Sequence, residues 1–432
     1  MKKLIFISII IIFTKQIYAL TSSSYLISQL AFKNYDYSTS LSDFDLSENF
    51  YSNAELLDKI IAAVIMEDLS QANEIANKLI AKDKENQEAY IVKLAYLYVN
   101  NDIKKIKKLY EEIQIKNDLI NFIFFNNNEL KDKSIISKSL IDIVTSSFSN
   151  SDQYKLNYNF LLFYSSLAKI MDKNNDRATL IKAELYQNIE QFTIARSIFE
   201  IIKPSSPFYL DAQRSLAISY LYNLPYDEAL EEILKIIKNN NNNYLLKKVL
   251  ADFYRVKKNY ELAIPIYSEL IKESQDDLWN IYYMRGICYE RSDSWDKAEK
   301  DFLTSLDIKP DSPNVLNYLA YGWVEREIRL DQSLEMLKAA YNANPDSFYI
   351  IDSLAWAYFK KNDLEQAARL MEKVIDLAPG EAISLDHLGD IYYAMNRKRE
   401  AIHFWQQALE FAEPEDEIIE DVQSKLDNIN AG

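Results

Sequence analysis

The chain has 432 residues, 48% of them apolar, and its 49 basic and 65 acidic side chains give a formal net charge of −16. Nucleic-acid binding draws most of its affinity from Lys and Arg on phosphates, so this balance argues against that class of partner. Five glycines and nine prolines are too few for the many tight turns of a strand-rich fold, and long helices joined by short turns are expected instead.

Residues 1–19 read as a signal peptide. Lys2 and Lys3 are followed by an apolar run from Leu4 to Phe13, and Ala19 supplies a small residue for cleavage. These ten positions, nine of them apolar, fall short of the ~20 that span a bilayer. Export with cleavage is expected. An uncleaved anchor is the rival reading.

Residues 20–120 hold degenerate helical repeats. Residues 21–52 carry Ala31, Tyr37, Ser40 and Phe44; residues 53–86 carry Ala63, Ala72, Ala76 and Leu79; residues 87–120 carry Leu94, Ala95 and Tyr98. The basic cluster Lys104, Lys105, Lys107 and Lys108 reads as a solvated helix face. Between 121 and 175 the register fails although the residues still look helical, as distorted repeats or an insertion.

Residues 176–415 are regular. The segment from Asp386 places Leu388, Gly389 and Tyr392 ahead of Ala401, Trp405 and Ala408. Leu354, Ala355, Tyr358, Ala367, Met371, Val374 and Pro379 stand 34 residues earlier in the same register. Leu319, Ala320, Trp323, Ser333, Leu337, Ala340 and Pro345 precede those, and the phase continues back to Ala183 and Tyr186. Seven units start near 176, 210, 244, 279, 313, 348 and 382. Leu385, Leu388, Gly389 and Tyr392 follow the spacing of one helix face, and Ala401, Trp405 and Ala408 that of a second. The small Gly389 lets helices approach closely. Pro310, Pro345 and Pro379 end second helices. Asn239 to Asn243 form a longer turn. Residues 416–432 form a capping helix, with Ile418, Ile419, Val422, Leu426 and Ile429 on one stripe and acids on the other face.

This pattern of Leu, Gly or Ala, Tyr, Ala, aromatic, Ala and Pro over 34 residues resembles the tetratricopeptide repeat family. The segments LNYLAYGWVE, IDSLAWAYF and LDHLGDIYY are similar to those of bacterial exported members, a likeness that implies a bacterial periplasm as the address. The resemblance implies an all-α fold: an α-solenoid of stacked antiparallel helix pairs winding as a right-handed superhelix. It implies too that the first helix of each unit lines a concave groove. The positions it assigns to a peptide-binding groove are Tyr283, Asn317, Tyr321, Tyr349, Asp352, Trp356, Phe359, Asp386 and Asp390, with Asn314 and Tyr393 in the same rows. The bland alternative is that these aromatics simply pack between repeats. Asp352, Asp386 and Asp390 favour a basic partner. Some family members clamp a terminal carboxylate with Lys and Asn, but here Lys248 is followed by Asp252 where Asn would stand.

Chemistry is sparse. Cys288 is alone, which leaves no internal disulfide and no cysteine metal cluster, and it reads as a core residue. The pair His387 and Asp390 does not make a metal site, and no phosphate loop or catalytic triad is recognisable. No cofactor is expected. The reading is a non-enzymatic exported scaffold that holds a protein or peptide. The alternatives are an accessory subunit of an envelope polysaccharide or peptidoglycan enzyme, and a cytosolic co-chaperone-like adaptor if residues 1–19 are retained.

Overall fold

The computed structural model describes residues 26–42, 44, 51–113, 118–150, 156–273, 277–413 and 418–431. The expected signal segment lies outside them, as does part of the first eroded repeat. Among the described residues the chain is almost wholly α-helical, with one two-stranded hairpin. It divides into two compact units, residues 1–232 and 233–432, the division falling within helix Tyr226–Asn239.

In the second unit antiparallel pairs follow one another. They are Tyr244–Val256 with Tyr260–Glu273, Leu278–Glu290 with Trp295–Ile308, Pro313–Glu325 with Leu330–Ala343, Phe348–Lys360 with Leu364–Leu377, and Ala382–Ala394 with Lys398–Phe411. Each second helix also packs on the first helix of the next pair. The reason is visible in single positions. Ala263, Ala298, Ser333, Ala367 and Ala401 recur at 34- or 35-residue steps on successive second helices, and all are fully buried. A small side chain there lets the helix sit close to its partner, while Tyr267, Phe302, Leu337, Met371 and Trp405, four residues on, fill the space beside it. A pair alone would leave this face wet, so each pair completes its core with its neighbours. The helices Trp295–Ile308, Leu330–Ala343 and Leu364–Leu377 stop two residues before Pro310, Pro345 and Pro379. Pro265 instead sits inside Tyr260–Glu273, where it removes one backbone donor without ending the helix. Helix Ile418–Ala431 closes the unit by burying Val422 and Leu426.

The turns explain why so few glycines suffice. Helix ends commonly use a left-handed residue, usually glycine. Here that position falls to Lys258, Asp293, Asn362 and Asn396, all with φ between 53° and 61°. The closing bonds are present: the amide of Asn259 donates to Tyr254 O (2.7 Å), that of Asp363 to Tyr358 O (2.9 Å), and that of Arg397 to Tyr392 O (2.8 Å). The asparagine run expected as a long turn does the same, with Asn241 and Asn242 at φ 54° and 55°. Glycine serves the core instead. A methyl group on Gly286, Gly322 or Gly389 would collide with the rings of Phe302, Trp295 or Trp405. At Gly389 the close approach is therefore helix backbone to indole, rather than helix backbone to helix backbone.

The first unit is less regular. Ser52 opens helix Asn53–Ile65 with a reciprocal capping box to Glu55. That helix packs on its sequence neighbour Leu69–Lys82 and also on the distant helix Tyr158–Met171. Polar ties cross the same gap in sequence. Tyr37 donates to Asn159 (2.8 Å), and buried Lys182 reaches Ile65 O (3.3 Å) and Glu67 (3.0 Å). Residues 118–171 fold as a short helix Asp118–Phe124, a hairpin pairing Phe125–Asn126 with Glu129–Leu130, and the antiparallel helices Lys133–Asn150 and Tyr158–Met171. Lys104, Lys105, Lys107 and Lys108 are exposed along Ile103–Ile113.

Candidate functional site

The first helices of four successive pairs in the second unit frame an open pocket of about 490 Å³. Helix Leu278–Glu290 supplies Tyr283. Helix Pro313–Glu325 supplies Asn314, Asn317, Tyr318 and Tyr321. Helix Phe348–Lys360 supplies Phe348, Tyr349, Asp352 and Ser353. Helix Ala382–Ala394 supplies Ile383 and Ser384, and Arg291 and Glu381 complete the lining. The 3–4 spacing that puts a stripe of residues on one helix face is what brings these side chains to one surface.

The walls are aromatic and fixed. Tyr283 meets Tyr318 edge to face at 5.5 Å, and Phe348 meets Tyr349 at 5.7 Å. Tyr349, 42% exposed, donates its hydroxyl to Asn314 Oδ1 (3.1 Å), which holds its ring at the mouth. Asn317 is only 6% exposed, and its Oδ1 has no hydrogen-bond partner among the described residues. Asp352, also buried, accepts from His387 Nδ1 at 3.1 Å. Burial opposes charge on His387, but Asp352, with help from Asp386 and Asp390, outweighs it and raises the imidazole pKa above its ordinary value.

Of the nine residues assigned to a groove from the sequence, Tyr283, Asn317, Tyr321, Tyr349 and Asp352 come together in this pocket. The other four do not line it. Trp356 is 7% exposed, stacked between His387 (4.0 Å) and Phe359 (4.7 Å), and its indole donates to Glu325. No face of the ring is left for a ligand. Asp386 and Asp390 both accept from Lys425 of the capping helix (2.8 and 3.0 Å), and Asp390 also accepts from Trp405 (3.0 Å). They fasten the last helix to its neighbour. Position on a helix face does not reveal what the next helix lays over that face, and this is why the sequence could not separate the two groups. Tyr318, Phe348 and Ser384 lie one register step off the assigned rows and carry no periodic signal of their own. Arg291 and Glu381 come from helix ends, which the periodicity does not reach.

Cys288 is buried, and burial pushes its thiol up to about 12. His387 pairs with Asp352 rather than with Asp390, and His403 is exposed on the following helix. Among the described residues no group of three or more His, Cys, Asp or Glu side chains could hold a metal ion.

Two models of the tetratricopeptide repeat match, over residues 350–381 and 382–413. The chain is 27% identical over 205 residues to a TPR repeat-containing protein of Pseudomonas aeruginosa, covering 46% of this chain and 34% of that one. It is 27% identical over 180 residues to the DnaJ homolog subfamily C member 7 homolog of Schizosaccharomyces pombe, covering 38% of each. The chain thus spans between a third and two-fifths of the length of these curated relatives. Among solved structures it resembles the APC/C hetero-tetramer of Cut9 and Hcn1, with a TM-score of 0.51 at 14% identity over 93% of this chain and 83% of that one, a likeness of fold alone. The chain carries tetratricopeptide repeats, and its C-terminal part is similar to a bacterial protein of that family.

Proposed function

We propose that the chain is a non-enzymatic scaffold that holds a protein or extended peptide on the face formed by the first helices of its C-terminal repeats, and that it acts after export, in the periplasm. The observation that carries this reading is the pocket between Tyr283, Tyr321 and Tyr349. Rigid aromatic walls with a partly exposed tyrosine at the mouth suit protein contacts, where Tyr and Trp contribute much of the binding energy at little entropic cost. The matching models describe a repeat and no catalytic domain, in keeping with a scaffold. Export is supported by the lysine pair, apolar run and Ala19 of residues 1–19.

A photo-activatable residue placed at Tyr349 tests the partner reading in intact cells. We expect one dominant protein adduct that is absent when the same group replaces Ile308 on the outer end of a second helix. Identical adducts at both positions would remove the pocket from consideration. Fractionation with N-terminal sequencing tests export, and a mature chain starting at Leu20 in the periplasmic fraction is the expected result.

A further inference from the structure

We infer that the tyrosine pocket recognises a single basic side chain, lysine or arginine, of its partner. This rests on the reading of the pocket as a partner site and adds the chemistry that it selects. The first observation is Asn317: its Oδ1 is a buried acceptor without a donor among the described residues, in a residue that lines the pocket. Leaving such a group unpaired is unfavourable, and an incoming N–H would relieve that cost. The second is the sign of the surrounding charge. Asp352 and Glu381 line the pocket, and Glu290 and Glu325 stand close enough to Tyr321 to push the pKa of its phenol up, after burial and together with Asp352. Against them stand two cations. Arg291 pairs with Glu290 at 3.3 Å and His387 with Asp352 at 3.1 Å, so these pairs offset one another and Glu325 and Glu381 are left as the excess negative charge. The third is the wall itself. Tyr283, Tyr318, Tyr321 and Tyr349 line the pocket together with Asp352 and Glu381, and tyrosine rings attract an ammonium or guanidinium through their quadrupoles while covering its aliphatic stem. A carboxylate would meet the like charge of Glu325 and Glu381 here.

The test selects a random dodecapeptide library on the full chain and counter-selects on the Tyr349→Ala variant. The leading peptide is then synthesised with each basic residue in turn replaced by norleucine, which keeps the stem and removes the charge. One such replacement should weaken binding at least tenfold to the parent chain. The same replacement should cost less than threefold on Asn317→Leu, whose helix content is checked by circular dichroism. Because the norleucine series is read on the unmodified chain, the outcome stands even if that variant does not fold. Tyr349-dependent peptides that lack a basic residue, or that tolerate norleucine everywhere, would overturn this inference and leave the partner site standing. Absence of any Tyr349-dependent peptide would overturn both.

Discussion

Replacing Gly389 with Ala tests the packing of the last repeat. Built on this backbone, the new Cβ lies 2.3 Å from Trp405 Cδ1 and 2.4 Å from its Nε1. The indole cannot swing away at little cost. It is 2% exposed, its N–H donates to Asp390, and Tyr393 packs against its ring at 5.6 Å. Overpacking of this kind costs about 1–3 kcal/mol. Straining the bond to the Asp390 carboxylate adds part of the roughly 1.5–3 kcal/mol that such a charged bond is worth. Alanine recovers about 1 kcal/mol of helix propensity. The net expectation is a loss of about 2 kcal/mol, or roughly 4–8 °C in melting temperature for a unit of this size. Thermal unfolding followed by far-ultraviolet circular dichroism reads it. Gly380→Ala is the control, because its Cβ would meet Phe411 at an ordinary 3.5 Å and should leave the melting temperature nearly unchanged. If Gly389→Ala melts higher than the parent, as a plain helix-interior Gly→Ala change would, the close approach of Trp405 is wrong.

Other substitutions follow from the same contacts. Trp356→Ala should destabilise by about 3–5 kcal/mol in urea, since a buried ring between His387 and Phe359 is removed; an unchanged midpoint would return Trp356 to the binding surface. Lys258→Gly should stabilise by about 0.5–1 kcal/mol, because relief of a left-handed Cβ exceeds the added chain entropy; a destabilised variant would contradict this. Burial raises the Asp58 carboxyl from 3.8 to about 6, against a hydrogen bond from Gln29 and the charge of Lys59. The folded chain therefore binds this proton more tightly than the unfolded chain, and stability is lost as pH rises from about 4 to 6. Asp58→Asn should gain on the parent above pH 6 and show no gain at pH 4 in urea titrations; a pH-independent difference would rule out this cause. Cys288, its thiol pushed up to about 12, should resist iodoacetamide in the native chain at pH 8 and react once urea unfolds it.

The sequence reveals the repeat because the repeat is a packing rule. A small residue every 34 or 35 positions, with a large one four later, can be read without coordinates, and Ala263 through Ala401 are all buried. Proline after the second helix is equally local. Three features were out of reach for physical reasons. Helix Tyr158–Met171 packs on Asn53–Ile65 through contacts about a hundred residues apart, which no local period encodes. The hairpin at 125–130 has strands of two residues each, too short to show alternation. In the site, Asp386 and Asp390 are spoken for by Lys425, a residue 35 or more positions away on the capping helix. Five of the nine assigned positions, three tyrosines with Asn317 and Asp352, line the pocket because the 3–4 spacing puts them on one face of their helices. The other four lie outside the pocket, and Trp356, Asp386 and Asp390 are engaged there by His387 and Lys425 from other helices.

Hydrogen exchange on the full chain, with and without the protein recovered by cross-linking at Tyr349, tests the central claim most directly. The account predicts added protection along Pro313–Glu325 and Phe348–Lys360, the first helices that line the pocket, with Leu330–Ala343 unchanged. Protection confined to Leu330–Ala343, or to helices before residue 233, would contradict it.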